Sequence, residues 1–281
     1  MVAASYIHPT MEKDLYNDFR IPVPTGFEKV FSHFYFAGNT SDQTITKTLL
    51  PSYQTIFVFS FGSNVLLEST QNTQLTVDKC LVLGTIKRAF TYSLPPGSSI
   101  LVAALKDDAF YRFFGSSPAT ENLPIDPCGL VDGNCFTALW YELNKIDNAD
   151  EQVRYILEFC RPYLREQSGV AQQLLDYGEG SLSPIKTVAT HNSQSERSIQ
   201  IKQKKYFGYS VKELSRYRRF LKAIKLIEDM ASKEAKEDWF RIIHECGYYD
   251  QSQLIGDFKH YINLSPTRYL KFQKEICNPN H

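Results

Sequence analysis

Hydrophobic positions along this chain change their period once, close to its middle. Up to Lys106 they fall in short runs rich in Val, Ile, Phe and Tyr: FEKVFSHFYFA (27–37), TIFVFSFGS (55–63), CLVLGT (80–85), FTYSL (90–94) and SILVAALK (99–106). Such residues suit a pleated, half-buried surface, and Gly38-Asn39, Gly62-Ser63-Asn64 and Pro95-Pro96-Gly97-Ser98 supply turns between the runs. Strands that follow one another without intervening helices predict an antiparallel sandwich or barrel rather than a parallel α/β sheet.

Beyond Lys106 the spacing becomes helical. Ala109, Phe110, Phe113 and Phe114 share one face and stop at Gly115. Residues 135–146 and 150–165 read as two amphipathic helices, with Pro162 ending or kinking the second. Helices of this kind close a sensor domain or form a homodimer face, and the pattern leaves both open. A boundary falls at Gln167-Ser168-Gly169, after which VAQQLLDYG predicts a helix stopping at Gly178 and the rest of the chain stays helical. The expectation is an α+β protein of two domains. Residues 1–167 form a β-rich domain with closing helices, and residues 168–281 form an all-α domain.

The helical half contains one design twice. In the first copy Ser183 precedes Pro184, a favoured cap and first-turn pair, and Ile185, Val188 and Ala189 share a face. Thr190–Gln194 is the turn, and Ser195 caps a second helix that runs to Gly208. In the second copy Trp239, Ile242, Ile243 and Cys246 form a stripe, Gly247 turns the chain, and Asp250 caps a helix whose Leu254, Phe258 and Ile262 face a core. Between the copies lies one long helix over 211–230, with Leu214, Phe220, Ile224 and Ile227 inward and Arg216, Arg218, Arg219 and Lys222 on a basic side. Two helix-turn-helix units joined by a basic helix are a nucleic-acid design, in which the second helix of each unit meets base edges.

Composition narrows the classes. The chain has 281 residues, 43% hydrophobic and 22% charged, as in an ordinary globular protein. Its zero net charge conceals a split: 13 Lys+Arg against 18 Asp+Glu in residues 1–167, and 18 against 13 in 168–281. The positive balance thus falls on the half with the turns, where a polyanion would bind. No apolar run approaches the roughly 20 residues of a membrane span, and the N-terminus lacks a basic leader with an apolar core. Six cysteines without C-x-x-C or ligand spacing read as free thiols in a reducing cytosol. His8 and His33 are the only histidines of the β-rich half, far apart in sequence and without H-x-H, and no P-loop, dinucleotide or G-x-S-x-G motif occurs. No enzymatic activity, metal or cofactor is therefore expected.

The C-G-Y-Y-D-Q-S-Q-L-I-G-D-F-K-H-Y stretch and the L-S-P-T-R-Y-L after it resemble the AraC/XylS family of transcriptional regulators, whose signature reads G-F-x-x-x-S-x-F-x-R-x-F-K-x-x-x-G-x-S-P-x-x-Y. The first unit is similar in its S-E-R, with Gly208 thirteen residues after the serine and Ser210 beyond it. The likeness covers about residues 170–275. More loosely, LLPSYQTIFVFSFGS and LVLGTIKRAFTYSLPPGSSILVAAL are similar to a sensor-like domain found ahead of this module, usually a cupin-type β-barrel. The resemblance implies a cytoplasmic, bacterial, sequence-specific DNA-binding regulator of transcription. It implies double-stranded DNA as partner, a small-molecule effector of undefined identity in the N-terminal domain, and no membrane. The aromatic density of 27–61 reads as barrel core and leaves room for a small apolar or aromatic effector.

Base reading falls to Arg197, Gln200, Ile201, Gln251 and Ser252, on the leading turns of the two recognition helices. Gln253 is the weaker neighbour, with a side chain expected to lie along the backbone. Ser195, Lys202, Lys204, Lys205, Arg218, Lys259 and Lys271 are the phosphate candidates. Tyr248, Phe258 and Tyr269 belong to the core. Several positions depart from the family pattern: Gly256 and Ile201 stand where arginines are usual, Gln203 where a buried aromatic is usual, Ser193 at the turn glycine, and Ile243 at a small residue. Each lost contact removes about 1–3 kcal/mol of discrimination. These departures motivate a competing expectation, a ligand-sensing or protein-interaction scaffold whose DNA module has decayed.

Overall fold

The computed structural model describes residues 15–69, 74–115, 124–125, 135–177, 183–232, 238–272 and 276–277. Nine strands come first: β1 (Tyr16–Ile21), β2 (Phe31–Asn39), β3 (Ile45–Leu49), β4 (Ile56–Gly62), β5 (Val65–Ser69), β6 (Gln74–Val77), β7 (Cys80–Leu83), β8 (Phe90–Leu94) and β9 (Ser98–Leu105). Helix α1 (Ala109–Phe114), the two-residue β10 (Pro124–Ile125), α2 (Cys135–Leu143) and α3 (Ala149–Cys160) follow. The remainder is α4 (Gly169–Asp176), α5 (Pro184–His191), α6 (Glu196–Phe207), α7 (Val211–Ser232), α8 (Trp239–Cys246), α9 (Gln251–Ile262), α10 (Pro266–Phe272) and the short β11 (Ile276–Cys277). This is the expected α+β order, with sheets in front and helices behind.

Two sheets face each other. One has the order β1-β2-β9-β4-β7-β10 and the other β11-β3-β8-β5-β6, with every pairing antiparallel except that of β11 with β3. In β4 and β9, side chains of one parity, Ile56, Val58, Ile100, Val102 and Ala104, enter the core between the sheets. The other parity, Phe57, Phe59, Phe61, Leu101, Ala103 and Leu105, packs on α1, α2 and α3 through Phe110, Phe113, Phe136, Leu139 and Ile156. Both faces of these central strands are covered, which explains the run IFVFSF, buried throughout and apolar except for Ser60.

The helix boundaries follow local chemistry. Gly115 ends α1 in the left-handed region. Helix α2 stops at Leu143, short of the expected 146, because Asn148 caps α3 and the buried Gln152 amide donates to the carbonyls of Leu143 and Ile146. Helix α3 ends at Cys160 and tightens into a 3-10 turn at Arg161–Tyr163 around Pro162. The expected stop at Gly178 lies outside the described residues. Strand β2 starts at Phe31 rather than 27, since the amides of Val30 and Phe31 turn back onto the Phe27 carbonyl.

The sandwich and the helical module share a core. Leu50, Tyr53 and Ala89, from two strand connections, pack with Tyr209, Tyr217 and Tyr261 of the module. Tyr53 stacks on Tyr217 at 4.3 Å between ring centroids and lies edge-on to Tyr209 and Tyr261. It does so at φ 56°, a left-handed conformation costing a residue with a Cβ roughly 1–2 kcal/mol. Polar contacts frame the stack. The Tyr217 hydroxyl donates to the Pro51 carbonyl at 2.5 Å, the Ala89 amide donates to the Tyr261 carbonyl at 2.7 Å, and Lys87 pairs with Glu213 at 2.8 Å.

Candidate nucleic-acid interface

Each helix-turn-helix unit is assembled by its turn. In the first, Ser193 adopts φ 52°, a left-handed state that glycine reaches more readily than serine. The Ser195 hydroxyl accepts from the Ser198 amide and starts α6, and Gly208 ends it in the left-handed region. Ser183 stands at the start of α5, but its side chain does not cap; Pro184 alone pre-sets that first turn. In the second unit Gly247 turns at φ 73° and the Asp250 carboxylate accepts from the Gln253 amide. The Gln253 side chain reaches back to accept from the Tyr249 amide at 2.9 Å, a reciprocal cap.

Between α6 and α9 opens a cleft of about 1070 Å³ floored by α7. Arg197, Gln200, Ile201 and Lys204 line its α6 wall, and Gln253 and Gly256 its α9 wall. Gln203, expected to replace a buried aromatic, is indeed buried and borders this space. A Cβ at Gly256 would meet nothing within 4 Å, so there is open room for a larger side chain there. Ile201 remains 60% exposed, a large apolar side chain without a packing partner to account for it.

The recognition helix of the second unit is held from below. Asp257 is 2% exposed and accepts from Arg216 Nε at 2.6 Å and from Arg219 at 3.5 Å. Arg219 lies over the Tyr248 ring at 4.7 Å and Arg216 over Tyr261 at 5.6 Å. The basic side expected for α7 is therefore partly a clamp on α9. Asp257 lies among the inward positions Leu254, Phe258 and Tyr261, and a carboxylate on an apolar stripe is the signal that could have exposed this clamp.

The predicted contact residues separate into groups. Arg197, Gln200, Gln251 and Ser252 are all exposed on leading helical turns, with Gln251 and Ser252 outside the cleft lining. Lys259 is exposed late in α9. Lys202 donates to Gln194 Oε1 at 2.9 Å, beside the turn. Lys205 sits over the Tyr111 ring of α1 at 5.4 Å, which directs it toward the sandwich. Arg218 acts electrostatically on Tyr209 and is not part of the cleft. Lys271 has no described side chain. Tyr248, Phe258 and Tyr269 are core residues, as expected.

A second cavity, of about 240 Å³, lies between the sheets. Ile56, Val58, Ile100 and Val102 give it apolar walls, and Arg20, His33 and Tyr35 border it with polar groups. Tyr16, Tyr35 and Tyr92 share a hydroxyl triangle with edges of 2.9, 3.1 and 3.4 Å, and Tyr35 donates to Asp18 at 3.0 Å. Burial pushes the Tyr35 hydroxyl far above its ordinary range and keeps it a neutral donor. Burial, helped by Arg20, lowers His33 to about 4 and holds it neutral at pH 7. Among the described residues no group of three His, Cys, Asp or Glu side chains could hold a metal, and Cys80, Cys135, Cys160 and Cys246 form no disulfide. No described helix is long and apolar enough to cross a membrane.

No family model matches the sequence, and no curated protein matches it. Among solved structures, ToxT from Vibrio cholerae is similar over 91% of this chain and 97% of its own, at 12% identity and a TM-score of 0.40. ToxT from Vibrio cholerae O395 bound to (E)-4-(8-methylnaphthalen-1-yl)but-3-enoic acid is similar over 92% of this chain and 99% of its own, at 13% identity and a TM-score of 0.40. An RmlC-like cupin protein from Desulfovibrio desulfuricans covers 36% of this chain and 97% of its own, at 10% identity and a TM-score of 0.25.

Proposed function

We propose that the chain is a DNA-binding regulator of transcription of the AraC type, reading double-stranded DNA with two recognition helices. The observation that carries this reading is the pairing of α6 and α9 as opposite walls of one cleft, each started by a side-chain cap and each with exposed polar residues on its leading turns. Helices so placed enter successive major grooves, about 34 Å apart on one side of a duplex. Arg197 and Gln200 read bases in one groove, Gln251 and Ser252 in the other, and Ile201 meets a thymine methyl. Ser195, Lys204 and Lys259 meet phosphates. Residues 1–167 act as the sensor domain and 168–281 as the DNA-binding domain.

The inter-sheet cavity is the place for an effector. Its volume is below the 300–1,000 Å³ of drug-sized sites, which points to a small, largely apolar molecule with one polar group for Tyr35 or Arg20. Helices α2 and α3 expose Tyr141 and Tyr155, a face on which a second copy would seat.

Fluorescence anisotropy against genomic promoter fragments, over a salt series, tests the DNA reading. Specific complexes whose affinity falls steeply with salt are expected; a shallow response with no sequence preference sinks it. Gly256 and Ile201 favour one other reading, a scaffold whose DNA module has decayed. If the native chain binds no site and Ile201→Arg with Gly256→Arg creates binding, the scaffold reading holds instead.

A further inference from the structure

The floor of the cleft has no part in the reading above. Lys212, Ser215, Arg216 and Arg219 all border the cleft, and their spacing of three, one and three residues places them along one side of α7. Arg218, on the same helix, is turned elsewhere. Five cations, Arg197, Lys204, Lys212, Arg216 and Arg219, border the cleft against two carboxylates, Glu196 and Asp257. Asp257 is already buried against two of those arginines, so the surface left to solvent is positive. Arg216 keeps 40% of its side chain exposed despite its bond to Asp257.

When two recognition helices occupy successive major grooves, the duplex between them presents a minor groove about 6 Å wide with a sugar–phosphate backbone on each side. That ridge of negative charge faces whatever joins the helices. We propose that the cleft floor is a third DNA-contact surface, in which Lys212, Ser215 and Arg216 grip the phosphates flanking the minor groove between the two half-sites. The occupant is duplex DNA, and the contact is independent of base sequence, because phosphates carry none. The inference rests on the DNA reading and adds residues to it. The N-terminus of α7 is not the attracting element: Glu213 accepts from both the amide and the hydroxyl of Ser210 and already occupies it.

The test uses the full chain and a fragment it binds specifically, with anisotropy measured from low to physiological salt. Lys212 and Ser215 are exposed, so Lys212→Gln and Ser215→Glu leave the fold intact, as an unchanged melting temperature will verify. Lys212→Gln is expected to weaken binding roughly five-fold, equally on specific and unrelated duplexes, and to reduce the salt slope by about 1. Ser215→Glu is expected to weaken binding further. Lys225→Gln removes a charge from the same helix outside the cleft and is expected to change neither quantity. Native slope and affinity in both Lys212→Gln and Ser215→Glu overturn the proposal while leaving base reading standing. Equal losses in Lys225→Gln and Lys212→Gln overturn it too, because a diffuse charge effect would then suffice. Absence of any complex with the native chain defeats the DNA reading and this proposal together.

Discussion

The two helix-turn-helix units have one architecture and two different anchors. The recognition helix of the first unit leans on the sandwich: Lys205 lies over Tyr111, Tyr206 meets the same ring edge-on at 4.9 Å, and the Phe207 carbonyl accepts from Thr85. That of the second is held along its middle from α7, through Asp257 and its two arginines, and at its end meets the sandwich through Tyr53 against Tyr261 and a backbone bond from Ala89. The first helix is therefore tied to the β domain through its C-terminal half, and the second to the connecting helix through its middle. The difference teaches that a signal from the sandwich would change the separation of the two helices more readily than it would change either helix.

Substitutions can break that comparison one anchor at a time. Tyr53→Ala is expected to have the largest effect, about 3 kcal/mol of lost stability, because it empties the aromatic stack and leaves a cavity. Hydrogen exchange should then quicken around Tyr209, between α6 and α7, and at the end of α9 around Tyr261, more than in the middle of α9. Asp257→Ala is the converse. It should cost about 2–3 kcal/mol, below the 3–5 of a fully buried pair because both guanidiniums reach solvent, and should speed exchange in α9 while sparing α6. If the two exchange patterns coincide, the anchors are not separate.

Smaller changes sharpen the contrast. Arg197→Ala and Gln251→Ala should each lose about 1–3 kcal/mol of discrimination, at different half-sites, in binding to operator variants. Gly256→Ala should stabilise the chain by about 1 kcal/mol in denaturant melts, since glycine is a poor helix residue and the added Cβ meets nothing. The effect that is smallest at neutral pH, and grows only on acidification, concerns His33. Its folded pKa of about 4 lies below the ordinary 6.5, so the unfolded chain takes up a proton that the folded one refuses. Stability should fall as pH is lowered from 6.5 toward 4, and His33→Gln should flatten that part of the slope in urea melts.

Much of this was legible in the chain, for physical reasons. Strands β2, β4, β7, β8 and β9 are buried and therefore apolar, so their runs stood out. Strand β1, YNDFRI, is an edge strand with mostly exposed side chains, and β3 and β6 are short and polar; none carries a hydrophobic signal. The caps at Ser195 and Asp250 and the turns at Ser193 and Gly247 were readable because each rests on one residue's chemistry. The Asp257 clamp and the diversion of Lys205 were not, since both depend on partners 38 or more residues away. The Gln253 side chain folds toward the backbone as expected, and in doing so caps the helix at the cleft's edge.

The segment from Leu49 to Gln54 connects β3 to β4 and looks like an ordinary surface connection in sequence. Its side chains are divided: Leu49, Ser52 and Gln54 border the inter-sheet cavity, whereas Leu50 and Tyr53 belong to the core shared with the helical module. Most loops tolerate insertion, because closure entropy grows slowly with length. This one counts residues. One residue added between Ser52 and Tyr53 would exchange which side chains meet cavity and module, uncoupling the state of the one from that of the other. The length of this connection, more than its composition, is what makes the two halves a single instrument.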